Sequence, residues 1–546
     1  MGEAEFKANG MVAAVIDAVG EMATSTESEM RLMTPGGRYQ VRWDEGGNAT
    51  AMGQLAFFAE FLDVSGLFER WVTDCPMAYT SPNAPETRDV LGTWLLSILD
   101  GQWRYAHITG LRGDSVAPGI LGMKKIISDE SLRRGLKHLA PALERGPEEE
   151  RPTREAQLAR TTAWMDRALA ESTRAALAIG WILDIDTTIK LLYGHQDGAE
   201  ISYNPTKPGR PSHVIHTYWI ANVRLVLDAE VHSGKAHAAR HSLPRLIVLL
   251  KALPAEQRPR LVRGDIAFGV DPVMRELEEM GQAYLFKLKQ SAGVKRLIER
   301  LWRDTDWQDM GEGYHAAETR LKLTGWAHDR RVVVVRRAVK QSLAVEAKSD
   351  GKRKGQQSLQ FANVDTGKLW EYAVLVTNSD YPLTAIGQLY RDRADCENGF
   401  DELKNQWGWG GYTTQDLERC NLSARAVALI YNWWSWYVRL AHPKARLEAI
   451  TARPLLLAGI ARQTSHAGQA RLLVTLTHGC ADQVKAMIAN VRKGLNFVIS
   501  SAPQLAKPER WKALVQYIIA RIIPNNRHHG PSPPQLSQPA CASASG

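Results

Sequence analysis

Apolar residues recur every three or four positions through AMGQLAFFAEFLDVSGLFERWV (51–72) and DVLGTWLLSILDGQWRYAHI (89–108). That is the period of helices with one buried face. The following GLRGDSVAPGILGMKKIISDESLRRGLKHL (110–139) predicts two short helical segments around a turn, which fits a helix-turn-helix or a plain helical hairpin equally well. Residues 1–130 therefore read as a helical region, and 131–177, with LERGPEEERPTREAQL, as a linker and helical lead-in.

The texture changes at 178. LAIGWILDIDTTIKLLYG is rich in branched residues and predicts a strand. ISYNPTKPGRPSHVI turns back through proline and glycine, and HTYWIANVRLVLDAEVHSG continues as a long strand or hairpin. Helix-like HSLPRLIVLLKALP, strand-like PRLVRGDIAFG, helix-like DPVMRELEEMGQ and strand-like AYLFKLKQ then alternate to about 290. Such alternation predicts an α/β sheet covered on both faces. Residues 291–385 are strand-rich, around a polar stretch AKSDGKRKGQQS expected as an exposed loop. Helices follow, in 386–412 and in a C-terminal region 413–525 that includes DLERCNLSARAVALIYNWWSWYVRLA and EAITARPLLLAGIARQT. The tail 526–546 has few large apolar residues and many prolines and serines, so it is expected to be disordered.

Chemistry concentrates in YRDRADCENGFDELKNQW (390–407), read as one helix. Tyr390, Arg393, Glu397 and Lys404 fall within an arc of roughly 60° at helical geometry. Leu389, Cys396, Phe400 and Leu403 form the adjoining apolar stripe. Alone, this is either a surface ion-pair ladder beside a core stripe or one metal-binding carboxylate flanked by phosphate clamps. The second reading needs more acids. LDIDTT supplies Asp184 and Asp186 on one face of a strand, with Asp186 nearer its usable edge. RGD supplies Asp265 at a strand end, where α/β sheets place active groups. If Asp186, Asp265 and Glu397 converge, they form an all-oxygen set suited to Mg²⁺ or Mn²⁺. Two such ions favour in-line phosphoryl transfer. Arg393 and Lys404 are then assigned to phosphates; Tyr390 either orients a phosphate or packs against the helix. Gly399 stands out as a poor helix former that permits a close approach, for instance by DNA.

Composition narrows the partners. The 546 residues carry a formal charge of +9, compatible with nucleic acid. Cations crowd 330–354, where Arg336, Arg337, Lys352, Arg353 and Lys354 make either an ordinary solvated hairpin or a backbone-binding surface. No run of 18 apolar residues and no signal-peptide pattern occurs, so no membrane partner is expected. The five cysteines, at 75, 396, 420, 480 and 541, are unpaired in spacing and suit a reducing cytoplasm rather than a zinc site or a disulfide framework.

The 390–407 stretch resembles the Y-x2-R-x3-E-x6-K signature of bacterial insertion-sequence transposases with an Asp-Asp-Glu active site. LDIDTT resembles that family's first acidic segment, LVRGDIAFG its second, and YGHQDGAEISYNPTKPGRPSH a flanking segment of one branch. The likeness covers roughly 175–475. It implies a ribonuclease-H-like core in 178–290, interrupted by the β-rich insertion 291–385 and completed by the catalytic helix in 386–412. It further implies catalytic and metal-binding roles for Asp186, Asp265 and Glu397 with two Mg²⁺ per site, Mn²⁺ substituting. The expected partners are double-stranded DNA (terminal inverted repeats and target) and a second copy in the DNA complex. Residues 1–130 would bind DNA ends, 413–525 would dimerise, and the protein would be cytoplasmic, at the bacterial nucleoid. The alternatives are a related endonuclease without strand transfer and a DNA-binding protein with a silent core.

Overall fold

The computed structural model describes residues 30–339 except 44, 45, 80, 203, 205, 206 and 305, and then residues 360–362, 369–475, 479–501 and 503–522. The chain divides into two units. The first runs to Asn48 and contains an antiparallel hairpin of β1 (Met30–Thr34) and β2 (Gly37–Val41). Most of its side chains are exposed, so no buried alternation marks these strands in a region read as helical.

The second unit begins at Ala49. After β3 (Ala49–Thr50), α1 (Leu55–Ser65) buries Leu55, Phe58, Phe61 and Leu62, the spacing that predicted it. The long α2 (Arg151–Arg174) leads into β4 (Ile182–Leu191), β5 (Glu200–Ile201), β6 (Pro211–Ile220) and β7 (Leu225–Ser233). Then come α3 (Ala238–Lys251), β8 (Leu261–Gly264) and β9 (Tyr284–Lys287). Strands β10 (Gln308–Asp309), β11 (Tyr314–Leu321), β12 (Arg330–Val339), β13 (Gln360–Ala362) and β14 (Leu369–Thr377) follow. Helices α4 (Leu383–Arg391), α5 (Ala394–Gln406) and α6 (Leu417–Ala441) come next.

Strands β4 to β14 make one mixed sheet in the order β10-β11-β12-β14-β9-β8-β4-β6-β5, with β7 on β6 and β13 on β14. Among the described residues, only the β4–β8 and β8–β9 pairs of this sheet are parallel. The architecture is α/β, a central mixed sheet flanked by helices. Both faces are covered: Trp219 of β6 meets Phe400 of α5, while the neighbouring Tyr218 donates to the Ser242 carbonyl of α3 (2.9 Å). The strands of 308–377 join the sheet edge through β14 and β9.

Strand lengths shape the open edge. β8 stops at Gly264, level with Ile185 of β4 and Phe286 of β9. On one side β4 runs six residues further, paired with β6. On the other, β14 and β12 run on past Lys287, which is level with Leu375, to the pair Arg337–Glu371. The parallel strands thus end in a trough between two projecting walls.

One expectation is corrected. EAITARPLLLAGIARQT is not helical throughout: its helix ends at Leu456, and Ala461–His466 forms β15, paired with β16 (Gln469–Val474) and with β3. The partner of Ala461 is Thr50, far back in the chain, which no local period reveals.

At the centre lies a buried ion pair. Arg263 of β8 holds both oxygens of Asp184 of β4, at 2.6 and 2.7 Å, and both side chains are essentially unexposed. Asp184→Ala would strand a buried guanidinium. We expect a loss of about 3–5 kcal/mol in urea denaturation, with far less when Arg263 is replaced by an apolar residue at the same time.

Candidate active site

Asp186 follows Asp184 by two residues and shares its face of β4; Asp265 follows the last residue of β8. Both reach the trough. A cleft of about 600 Å³ there is lined by Asp186, Asp265 and Glu397, together with Tyr390, Arg393 and Lys404. The structure thus brings together three acids from separate parts of the chain and the other three members of the spaced set.

The 390–407 helix is divided, a correction to the single helix expected. α4 ends at Arg391 and α5 starts at Ala394. Between them the Arg393 N–H reaches only to the Tyr390 carbonyl (3.2 Å) and the Cys396 N–H to that of Arg393 (2.9 Å), the tighter three-residue pattern. Arg263 reaches the chain at this break. Besides holding Asp184, it donates to the Leu389 carbonyl, the acceptor that the Arg393 N–H would use in an unbroken helix. Of the expected apolar stripe, Cys396, Phe400 and Leu403 are buried together, whereas Leu389, on α4, is half-buried against a separate cluster. Gly399 is explained by a neighbour other than DNA. A Cβ there would lie 2.5 Å from the Trp219 ring, so the glycine lets α5 settle on β6.

Arg393 is nearly buried, 8% exposed, with Asp186 Oδ2 bonded to its Nη2 and Glu397 Oε1 3.7 Å from its Nη1. Asp186 Oδ1 accepts from the Thr187 N–H (2.7 Å), and Asp265 Oδ1 from the Ala267 N–H (2.9 Å). Burial drives the Asp186 carboxyl up to about 7. The Arg393 charge opposes that rise, and the charges of Asp265 and Glu397 add to it. For Arg393, burial favours the neutral form but is outweighed by Asp186, and the guanidinium stays charged. Burial pushes the Tyr390 phenol up to about 12 and draws Lys404 down, against the pull of Asp401 and Asp186.

Among the described residues no three Asp, Glu, His or Cys side chains stand as a ready cage for a metal ion. The acids of the cleft nevertheless fit a hard divalent cation in kind. They supply only oxygen, and burial holds the Asp186 carboxyl raised even beside Arg393, with the charges of Asp265 and Glu397 adding to the rise. Arg393, lying on Asp186 and beside Glu397, fills the place between those two acids.

The cationic hairpin divides. Arg336 is sandwiched between Trp307 and Trp370, at 4.0 and 4.4 Å from their ring centroids, so both faces of its guanidinium are covered. Arg337 is half-exposed and bonds the Tyr314 hydroxyl at 3.0 Å, with Glu371 at 3.5 Å. Lys352, Arg353 and Lys354 lie outside the described residues. Sequence reasoning missed Lys287 and Arg391, both lining the cleft. Lys287 was within reach: it ends β9 beside β8, the position that singled out Asp265.

Residues 179–433 match the family model for a transposase DDE domain. This stretch is a DDE-transposase-like domain. It spans just under half of the chain and holds every acid and cation of the cleft. A cryo-EM structure of the piggyBac transposase synaptic complex with hairpin DNA aligns over 92% of this chain and 90% of that one. The identity is 10% and the TM-score 0.38, too low to establish a shared fold. No curated protein matches the chain. Among the described residues no helix is long and apolar enough to cross a membrane.

Two outcomes follow for the transposase-like domain. Gly399→Ala should destabilise by about 1–3 kcal/mol in chemical denaturation, because overpacking against Trp219 outweighs alanine's better helix propensity. Asp186 is protonated below a pKa of about 7, and a divalent ion needs its carboxylate. With Asp186 as a ligand, Mg²⁺ affinity measured calorimetrically should therefore rise about fivefold from pH 6 to 7 and level off by about pH 8. A flat profile in the wild type would remove Asp186 from the metal set.

Proposed function

We propose that this chain is a transposase that binds terminal inverted repeats and catalyses DNA cleavage and strand transfer by a cut-and-paste route. The observation that carries the reading is the cleft itself. Asp186 in a strand, Asp265 just past another and Glu397 in a helix share it with Tyr390, Arg393 and Lys404, within a stretch matching a transposase DDE domain. The reading takes the β4–β8–β9 sheet and α5 as a ribonuclease-H-like core, residues 291–385 as its insertion, 1–130 as the end-binding region and 413–525 as the dimerising one. The protein would act at the bacterial nucleoid.

Asp186, Asp265 and Glu397 would hold Mg²⁺, or Mn²⁺ in its place, two ions per site. When bound, these ions supply the charge that activates the attacking hydroxyl or water and stabilises the leaving oxygen. The chain's own groups bind and orient. Arg393 has a planar, always-charged fork suited to a phosphate, and a backbone phosphate entering the cleft competes with Asp186 and Glu397 for it. Lys404, with a lowered pKa, gains a partner from the same anion. Tyr390 stays protonated at neutral pH and so donates its hydroxyl proton to a phosphate oxygen. Arg337 on the wall, with Lys352, Arg353 and Lys354, would follow the backbone further; Arg336 serves to hold that wall together.

The test uses labelled DNA bearing the element's own terminal repeats, with Mg²⁺ and with chelator. Cleavage followed by joining to target DNA is expected of the wild type. Glu397→Gln and Asp265→Asn should lower the cleavage rate at least a hundredfold while leaving DNA affinity within a few-fold. Cleavage without joining would mean an endonuclease, and tight binding without cleavage a silent core.

A further inference from the structure

Past Asp186, β4 continues away from the cleft as the wall formed with β6. Its tip carries an exposed aromatic ring between two cations. Tyr193 is 66% exposed. Lys207 Nζ donates to its hydroxyl at 2.9 Å and lies 5.4 Å from the ring centroid; the Arg210 guanidinium lies 5.1 Å from the same centroid. Lys207 and Arg210 are both exposed. Among the described residues neither comes within ion-pair distance of a carboxylate, and the acids of the same wall are engaged elsewhere. Asp197 pairs with Arg145 at 2.6 Å, and Glu200 accepts from the Lys235 N–H at 3.1 Å. The tip therefore presents two uncompensated charges, held by one ring that stacks on Arg210 and accepts from Lys207.

We infer that Tyr193, Lys207 and Arg210 form a second contact for duplex DNA, gripping phosphates away from the reacting one. This rests on the proposed DNA-acting function. Tyr193 lies seven positions beyond Asp186, the first five of them in β4, a distance of up to about 23 Å. That is the length of about seven base pairs. A duplex with a phosphate at the acids and its axis along β4 brings its backbone to the tip. The cations bind by charge; Tyr193 fixes their spacing, so less ordering is needed when DNA arrives.

The experiment measures affinity of the full-length protein for a labelled random-sequence duplex of about 30 base pairs across a salt series, without Mg²⁺. Lys207→Ala with Arg210→Ala should reduce the slope of log K against log salt by about 1.8, two phosphate contacts' worth, and weaken binding roughly sixtyfold at 0.1 M salt. Lys207→Arg with Arg210→Lys should restore the slope. Tyr193→Ala should weaken binding with the slope unchanged, since both charges remain. A wild-type slope in the double alanine variant would overturn the assignment of the tip and leave the DNA reading standing. A wild type showing no salt-dependent duplex binding would overturn that reading, and the tip with it.

Discussion

The site depends on one buried guanidinium. Arg263 binds both oxygens of Asp184 and the Leu389 carbonyl, tying β8 to β4 and both to the end of α4. Each of those elements delivers a group to the cleft: Asp265 follows β8, Asp186 lies two residues beyond Asp184, and Tyr390 follows Leu389. A charge pair that far from water adds little net stability, because desolvation offsets its attraction. Its contribution is geometric. Three pieces of chain are fixed against one another by hydrogen bonds that tolerate little movement, and the contact to Leu389 falls where the helix breaks before Arg393.

Strand length does the rest of the positioning. The parallel strands β8 and β9 are four residues each, whereas β4 and β12 have ten. The difference leaves a trough whose floor carries acids together with Arg393 and Lys404, and whose walls carry further cations, with Arg337 on one side and Lys207 and Arg210 on the other. On the proposed reading that arrangement suits a polyanion: charge on the walls would attract and orient the backbone, and the acids of the floor would hold a cation. The walls are stiffened by aromatic stacking of arginine, on Trp307 and Trp370 in one and on Tyr193 in the other.

Arg393 is the hinge of the electrostatics. Buried beside Asp186, with the exposed Glu397 carboxylate 3.7 Å away, it sets a positive charge between two acids. Burial still lifts Asp186 to about 7 against that charge, and Asp265 and Glu397 add to the rise. The cleft thus holds one cation paired with two of its three acids.

Much of this was legible along the chain. The period of the buried stripe at Cys396, Phe400 and Leu403, the strand carrying Asp184 and Asp186, the acid at the end of β8 and the spacing of Tyr390, Arg393, Glu397 and Lys404 are all local patterns, set by neighbours a few residues away. What each side chain touches is not local. Arg263 reaches Asp184 across 79 residues and Leu389 across 126, and Arg393 reaches Asp186 across 207. Hence the break at Arg393, the pairing of Ala461 with Thr50 and the stacking of Arg336 on two tryptophans had no signature in the sequence, and Gly399 was noticed without its reason, the Trp219 ring. Periodicity determined which elements form and which face is apolar. Only the tertiary structure decided which polar groups meet, because hydrogen bonds and ion pairs are satisfied by whatever the fold brings within about 3 Å, regardless of distance along the chain.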